Sequence, residues 1–503
     1  MPVSTILAIL MASPFANSLL SLTVQLVPLI ASLGAFVLSF KNGPISPEST
    51  CQFESGLNDR LREIGRVIVE WVYNHVEPAD ARHASALMAF EGDCYRRRNE
   101  KSPHRLGIGT LFGVISLWRI RYEACDAGLG LKCLYPLELR LGLVGEKATP
   151  ALASRIGIWT AQFTQETVRT LLCQEHQVSW SVTTLRKVVA ALSEGLAPLT
   201  AKAQVAYVLQ LLREAQDSKG GHRPVLSVGR DGIFVTIVNE TKYREAATAT
   251  VSVLDRKGKR LGTIYLGRMP EAGQETLSRQ LTALLRDVLV GWDGPLPRLQ
   301  YVTDGGHHPS EYYGVELTKM MHPRTGKCLE WEWVLDYYHA CLYLTKMGEA
   351  LFGKNTKEAA SWSAKMRRWL RDKKAGINRV LHSAAAHACW GQDWTQEEKK
   401  AYEEAYAYLR KRMGLMNYWS CRQRGLSIGS GITEAACKIL FTQRFKQSGM
   451  KWSFEGGQVV VDLRTIWLSG VWREVYGSYL QSSPQAHGGT QDTISENSSK
   501  MAA

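Results

Sequence analysis

The sequence predicts a multidomain α/β protein, and three observations support this fold class. The chain has 503 residues, which at about 150 residues per domain allows roughly three domains. Hydrophobic residues make up 45% and charged residues 21%, so a sizeable core can form and wholesale disorder is excluded. Between residues 223 and 344 the patterns follow the order β-β-β-α-β-α-β, which is typical of a mixed sheet.

The charge balance favours a polyanionic partner. Lys and Arg number 61 against 47 Asp and Glu, a formal net charge of +14. This surplus suits nucleic acid or an anionic membrane surface, although it says nothing about the fold. The ten cysteines include no CxxC pair, which is too sparse for a disulfide framework and favours a reduced, cytoplasmic compartment.

The first segment, residues 1–50, is a hydrophobic N-terminal extension. No charged residue precedes Lys41, and the stretch from Ser18 to Phe40 is long enough to span a bilayer. Three interpretations stay open: a membrane anchor, a packed or unstructured extension, and a start site assigned too early. We predict a cytoplasmic, nucleoid-associated protein without a membrane partner, with this extension unexplained.

Two short segments follow. Residues 51–92 are predicted to be helical, because apolar residues recur at helical spacing from Phe53 to His75. Residues 93–147 are predicted to be a ribbon-like strand segment, because apolar and polar residues alternate over Thr110 to Tyr122. It contains three cysteines, Cys94, Cys125 and Cys133. They are too scattered to close a tetrahedral zinc site alone, so structural zinc is doubtful, and isolated buried thiols are the alternative.

Residues 148–222 are predicted to be a helix-turn-helix-like region. One helix covers Gln165 to Cys173, and a second covers Ser181 to Leu192 after a short polar break. The second helix carries Arg186 and Lys187, which we predict to contact DNA. An ordinary helical bundle is the alternative.

Residues 223–344 form the first part of the predicted core. Its strands and helices are predicted at Val225–Val238, Thr248–Leu254, Arg260–Leu266, Glu275–Val290, Pro297–Val302, Tyr312–Met321 and Trp331–Leu335. A glycine-containing hairpin turn joins the second and third strands at residues 255–259. This order places the first and fourth strands side by side.

The rest of the chain divides into three segments. Residues 345–425 are predicted to be an all-helical insertion, residues 426–476 the final part of the core, and residues 477–503 a disordered tail. The window from 361 to 455 holds 18 Lys and Arg against eight Asp and Glu. Within it, Arg367 and Arg368 are predicted to bind DNA.

Three acidic residues stand where strands end or helices begin. Asp231 lies in the first strand beside Gly232, Asp304 ends the fourth strand, and Glu434 follows a glycine turn that opens a helix. Clustered carboxylates repel one another unless cations lie between them, and hard Mg²⁺ or Mn²⁺ ions suit oxygen ligands. Singly, each Asp-Gly pair is more often a turn. Together, the three predict a metal site that assists phosphodiester displacement.

Asp336 and His339 follow the fifth strand at positions i and i+3, which share one helical face. They are predicted to orient Asp304 or a substrate phosphate. The alternative is a helix N-cap with a buried, hydrogen-bonded histidine.

From about Phe53 to Trp472 the chain resembles bacterial insertion-sequence transposases of the DDE class, in the Kra and Lre groups, with Mutator-like features. The resemblance rests on motifs in a specific order: Ser227 to Gly232, Val302 to Gly305, the DxxH element of Asp336 to His339, Gly431 to Ala435, and the later Arg444, Lys446, Met450, Lys451, Trp452 and Ser453. Each motif is weak alone, and their spacing together is specific.

This resemblance implies a ribonuclease-H-like catalytic core interrupted by the helical insertion. It implies that Asp231, Asp304 and Glu434 are the catalytic, metal-binding triad for cutting element ends and joining them to target DNA. It also implies that Arg444, Lys446 and Lys451 hold phosphates, that Trp452 stacks on a terminal base, and that a homodimer or larger assembly acts on double-stranded DNA. A non-catalytic, domesticated or decayed DNA-binding protein is the alternative, which the missing CxxC pairs favour.

Overall fold

A computed structural model describes residues 16–126, 131–389 and 394–482. The chain forms two compact units, one of Met1–Gly195 with Tyr476–Ala503 and one of Leu196–Val475. Both contain helices and sheets, so the described structure is α/β. The predicted boundaries at residues 147 and 222 do not coincide with this division, because a single helix of 36 residues, Val182–Asp217, continues across it.

The first unit begins with two helices, α1 (Ala16–Asn42) and α2 (Pro47–Asn74). Within α1, Leu19–Asn42 is long and apolar enough to cross a membrane, and its apolar window is not buried. The ring of Phe40 nevertheless stacks on that of Phe53 in α2, with 4.2 Å between centroids. This contact places α1 against the predicted helix of residues 53–75. Residues 1–15 of the extension lie outside the described part of the chain.

Short strands and further helices complete this unit. The strands are β1 Leu87–Phe90, β2 Asp93–Pro103, β3 Ile108–Thr110, β4 Gly113–Ile115, β5 Trp118–Ala124 and β6 Cys133–Leu134. They form an antiparallel sheet in the order β1-β2-β5-β6 and a separate β3-β4 hairpin. The helices are α3 Pro136–Arg140, α4 Pro150–Gln162, α5 Gln165–His176 and the first part of α6 Val182–Asp217.

The predicted helix-turn-helix is present as two helices, α5 and α6, with a tight connection. Gln177 ends α5 in the left-handed conformation at φ 50°, and Ser181 Oγ accepts a hydrogen bond from the Thr184 backbone N–H. Helix α6 does not end near Leu192 as the pattern suggested, because it runs on through Pro198 to Asp217.

The second unit is built on a five-stranded mixed sheet. Its strands are β7 Val225–Val235, β8 Arg244–Leu254, β9 Arg260–Arg268, β10 Arg298–Thr303 and β11 Trp331–Leu335, in the order β11-β10-β7-β8-β9. The first three form an antiparallel meander, and β10 and β11 add in parallel. This is the predicted topology, with the first and fourth strands adjacent. The hairpin turn is also confirmed, since Asp255 Oδ1 accepts from the backbone N–H groups of Lys257 and Lys259.

Helices cover this sheet and fill the predicted insertion. They are α7 Glu275–Gly291, α8 His307–Val315, α9 Tyr337–Phe352, α10 Lys357–Asp372, α11 Gly376–Ala388, α12 Gln396–Lys411, α13 Tyr418–Gln423, α14 Gly431–Cys437, α15 Gln443–Phe445 and α16 Phe454–Leu468. The last helix, α17 Trp472–Ser482, begins in the second unit and continues into the first. A π-helical turn, Lys438–Thr442, separates α14 from α15. The insertion consists of helices joined by short loops in its described part, and residues 390–393 lie outside that part.

Two clusters of buried side chains hold the second unit together. One joins Val225, Val302 and Val334 of the sheet to the helices of the insertion. The other joins Val235 to Phe441, Phe445 and Val461. The predicted disordered tail begins too early, because α17 extends to Ser482; residues 483–503 lie outside the described part.

Candidate active site

The parallel pairing of β7 and β10 brings two of the predicted carboxylates to the same level of the sheet. Gly229 of β7 lies opposite Val302 of β10. Asp231 follows Gly229 by two residues within β7, and Asp304 follows Val302 by two residues, directly after the end of β10. Because both strands run in the same direction, these carboxylates emerge side by side at one end of the sheet. Asp231 also pairs with Thr248 of β8, so it is part of a strand rather than a turn.

The environment of Asp231 disfavours its charged form. The pKa of its carboxyl is raised from 3.8 to about 6, first by burial and then by the negative charges of Asp304 and Glu434. Two hydrogen bonds oppose this rise, one from the backbone N–H of Gly232 at 2.8 Å and one from the Cys437 thiol at 3.4 Å. The charges of both other members of the predicted triad therefore act on the carboxyl group of Asp231.

Glu434 reaches this region because a glycine allows its helix to approach β7 closely. A Cβ atom at Gly229 would lie 2.0 Å from Oγ1 of Thr433, the residue before Glu434 in α14. Thr433 also shares a 2.8 Å hydrogen bond with Thr250 of β8. Glycine at position 229 is thus required for α14 to pack across the strand that carries Asp231.

Asp336 is tied to the helix of Glu434 rather than to Asp304. Its side chain is fully buried, and it accepts hydrogen bonds from the backbone N–H of His339 and from both the N–H and the hydroxyl of Ser430. The Ser430 hydroxyl also lies 3.0 Å from Oε1 of Glu434. Asp336 is the N-cap of α9, as the alternative interpretation predicts, and no direct hydrogen bond joins its side chain to Asp304 within the described residues. Its role toward a substrate phosphate stays a prediction.

The helical insertion supplies a second contact to the triad. The hydroxyl of Tyr408 in α12 donates to the backbone carbonyl of Asp304 at 2.9 Å, and Oδ1 of Asp304 accepts from the N–H of Gly306 at 2.9 Å. The half-buried ring of His339 lies 5.9 Å from that of Tyr408. His339 therefore packs beside the residue that fixes the Asp304 backbone.

The donor set of Asp231, Asp304 and Glu434 fits a hard divalent cation. All three offer carboxylate oxygens, which Mg²⁺ and Mn²⁺ prefer, and the mutual repulsion recorded at Asp231 would be relieved by a cation between them. Their oxygens do not all approach within 4.8 Å of one another. Among the described residues, the set of three potential ligands that does so is His307, His308 and Glu311 at the start of α8. His307 and His308 are the first two residues of that helix.

Sequence reasoning missed three residues that contact the triad: Ser430, Cys437 and Tyr408. Cys437 lies three residues after Glu434 on the same helix, so helical spacing alone could have identified it. Burial raises the pKa of its thiol, which keeps it protonated as a donor to Asp231. Tyr408 comes from the distant insertion, and no local pattern in the sequence points to it.

The structure corrects two of the predicted DNA contacts. The Arg444 side chain is 1% exposed and lies over the indole of Trp452, so it cannot reach a phosphate. Trp452 packs at 4.3 Å against the ring of Phe445, and its indole N–H donates to the Phe445 carbonyl. Its ring is therefore engaged in the core cluster rather than presented for stacking on a base.

The other basic residues lie nearer the surface. Lys446 and Lys451 are exposed and line a groove of about 880 Å³ together with the aromatic rings of Phe234 and Tyr243. Arg368 is exposed as well. Arg367 is half-buried and donates to Thr345 Oγ1, so it mainly ties α10 to α9.

The pair on α6 is exposed but bonded within its own unit. Arg186 donates to Gln165 Oε1 at 3.1 Å, and Lys187 forms a 2.8 Å ion pair with Glu146. Exposed ion pairs of this kind are weak, so both side chains can exchange their partners for phosphate.

The three cysteines of the ribbon-like segment are neither scattered nor all buried. Antiparallel pairing of β2 with β5 brings the exposed thiols of Cys94 and Cys125 to 3.4 Å. Cys133 on β6 accepts a hydrogen bond from Arg121 at 3.0 Å. The interpretation as isolated buried thiols is therefore wrong for the first two, whereas the three do not form a tight ligand group within the described residues.

Comparison with known proteins identifies one weak relative. No protein-family model matches the chain. The chain is similar to a UPF0236 protein in the vanSb 3′ region of Streptococcus gallolyticus, with 23% identity over 384 residues, which is 75% of this chain and 75% of the relative.

Proposed function

We propose that this protein is a DDE-class transposase that cuts the ends of a mobile DNA element and joins them to target DNA. The observation that carries this proposal is the convergence of three carboxylates from distant parts of the sequence. Asp231 and Asp304 end up level on adjacent parallel strands, and the pKa of Asp231 responds to both Asp304 and Glu434. Such clustering of like charges at one end of a sheet is costly unless it serves a cation.

The topology of the second unit supports a ribonuclease-H-like core. A three-stranded antiparallel meander followed by two parallel strands is the arrangement that the family resemblance implies. The all-helical insertion enters between β11 and α14, before the last acidic residue, as the resemblance also implies.

The carboxylates of Asp231, Asp304 and Glu434 would hold Mg²⁺ or Mn²⁺. When bound, these ions would polarise a phosphodiester oxygen and lower the pKa of a coordinated water or 3′-hydroxyl. Gly306 fixes Asp304 through its backbone N–H, and the Ser430 hydroxyl lies within hydrogen-bond distance of both Glu434 and the buried Asp336, to one of which it donates its single proton. These hydrogen bonds set the carboxylates in place before substrate arrives, so little reorganisation is needed during the reaction.

The partner would be double-stranded DNA, carrying the element ends and then the target. The exposed Lys446 and Lys451, with Phe234 and Tyr243 in the same groove, offer cationic and aromatic contacts of the kind that nucleic acid uses. Since two element ends must be processed together, a homodimer or larger assembly on DNA is part of this proposal.

The direct test is cleavage and strand joining on DNA that carries the element's ends, with Mg²⁺ or Mn²⁺ present. Wild type should cut and join, and Asp231→Asn should lose activity while it retains DNA binding. Asp287→Asn is a matched control, because Asp287 is an exposed acid on α7 of the same unit. Binding without cleavage by wild type would instead support a non-catalytic DNA-binding protein, and loss of binding in Asp231→Asn would refute the catalytic role.

A further inference from the structure

A second site lies in the first unit, far along the sequence from the carboxylate triad. A cavity of about 920 Å³ opens between the ends of β2 and β5, helix α3 and the start of α6. Ser102, Arg119, Glu138 and Thr183 mark these four walls. The volume falls within the range of about 300–1,000 Å³ that is usual for ligand sites, so a nucleotide-sized group fits.

The lining is strongly cationic. It contains five Lys and Arg side chains against two Glu: Arg105, Arg119, Arg121, Lys147, Lys187, Glu138 and Glu146. The two acids are already engaged, Glu138 with Arg119 and Glu146 with Lys187. A net surplus of positive charge therefore faces the cavity.

Two buried side chains in this lining lack partners for their polar atoms. Lys147 is 8% exposed, and no hydrogen bond or ion pair of its ammonium is found within the described residues. His104 is 9% exposed, and its Nδ1 is buried without a hydrogen bond, while Nε2 lies 3.5 Å from Glu138. The largely buried side chain of Lys147 thus carries a positive charge without an ion-pair partner, and an anion bound in the cavity would supply that partner.

The start of α6 strengthens the attraction for an anion. Thr183 and Thr184, in the first turn of this long helix, line the same cavity. The N-terminal end of a helix carries partial positive charge and backbone N–H groups that favour phosphate. Burial also lowers the pKa of Lys147, and the neighbouring charge of Lys187 adds to this effect. A negative charge bound in the cavity would oppose both effects, because it favours the charged form of Lys147.

We propose that this cavity binds a backbone phosphate of the element-end DNA, with Lys147 as its buried cationic contact and the first turn of α6 beside it. This inference deepens the proposed function and rests on DNA being the partner. It also gives Lys187, predicted as a DNA contact, a specific place at the rim of a phosphate site. The same chemistry would accept free phosphate or a nucleotide, so the experiment must separate these sources.

The test measures DNA binding by full-length protein in EDTA, over a series of salt concentrations, so that cleavage plays no part. Lys147→Met should weaken binding of an element-end duplex about tenfold. It should also reduce the slope of log affinity against log salt by about 0.9, the value for one lost phosphate contact. Lys202→Met, an exposed lysine further along α6, is the control and should leave binding within about twofold of wild type, apart from a small salt effect.

The second arm uses inorganic phosphate and pyrophosphate as probes. Phosphate and pyrophosphate should reduce DNA binding by the wild-type protein. They should also raise the Tm of the wild-type protein, but not the Tm of Lys147→Met. If the variant fails to fold, the phosphate titration of wild type alone still tests the anion site. Because the Lys147 ammonium has no ion-pair partner among the described residues, Lys147→Met is expected to leave Tm close to that of wild type.

Two outcomes would overturn the proposal. Equal effects of Lys147→Met and Lys202→Met on DNA binding, with no phosphate protection, would show that the cavity is not an anion site. Phosphate protection that depends on Lys147, with unchanged DNA binding, would identify free phosphate as the ligand. Lys147-dependent DNA binding by a protein that cannot cleave would instead leave this inference intact and reject the transposase chemistry.

Discussion

Replacing Gly229 with alanine tests the packing that brings Glu434 to the sheet. The new methyl group would lie 2.0 Å from Thr433 Oγ1 and 3.1 Å from Thr250 Oγ1. The contact with Thr433 is far inside van der Waals distance, and both threonines are buried. Helix α14 must therefore shift away from β7, and the carboxylate of Glu434 must move with it.

The expected cost follows from this overlap. Forcing one extra methyl group into a close-packed site costs about 1–3 kcal/mol of unfolding free energy. For a unit of this size, each kcal/mol lowers Tm by about 2–4 °C, so Gly229→Ala should lower Tm by several degrees. Displacement of a catalytic group by about 1 Å reduces rates by about a hundredfold, which sets the expected loss of metal-dependent DNA cleavage.

Two further variants show whether the close approach is the cause. Gly431→Ala is the matched control, because a Cβ at Gly431, the first residue of α14, meets nothing within 4 Å. It should retain the Tm and cleavage rate of wild type. The double variant Gly229→Ala/Thr433→Ala removes the 2.0 Å contact and should recover part of both. A Gly229→Ala protein with wild-type Tm and activity would refute the proposed packing.

Two other predictions concern single acidic side chains. Asp336→Asn removes the charge from a buried carboxylate that accepts three hydrogen bonds from His339 and Ser430. It should lower the free energy of unfolding, measured by chemical denaturation, by about 1.5–3 kcal/mol, and it should also lower the cleavage rate. Unchanged stability and rate would contradict the role of Asp336 as the anchor of α14. Burial raises the pKa of Asp462 from 3.8 to about 6, so its contribution to stability is present below pH 4 and lost as pH rises through 6. Asp462→Asn, which keeps an acceptor for Gln458, should therefore be more stable than wild type by about 3 kcal/mol at pH 8 and similar to it at pH 4, as measured by Tm across pH. A stability difference that is the same at both pH values would reject this assignment.

The sequence predicts the sheet well because its signals are local and consistent. The hairpin turn between β8 and β9 and the Asp-Gly pair after β10 mark strand ends, and the order of strands and helices leaves few topologies open. The register of β7 and β10 then places Asp231 beside Asp304 without further information. Glu434 was identifiable because a glycine turn precedes an amphipathic helix at that point.

The failures share a different cause, since they depend on contacts between distant segments. Arg444 and Trp452 form a basic and aromatic pattern that nucleic-acid sites share with buried clusters, and only the packing against Phe445 separates the two. The closeness of Cys94 and Cys125 follows from strand pairing across 31 residues. Helix α6 extends through Pro198, which the sequence alone marks as a breaker.

Direct measurement of metal binding tests the central claim, that Asp231, Asp304 and Glu434 form one divalent-cation site. Electron paramagnetic resonance can follow Mn²⁺ titrated into wild type, Asp231→Asn, Asp304→Asn, Glu434→Gln and His308→Gln, with element-end DNA present. We predict that each of the three triad variants loses bound Mn²⁺, whereas His308→Gln, from the cluster at the start of α8, retains it. Full Mn²⁺ binding in all three triad variants, or its loss only in His308→Gln, would contradict the proposed site.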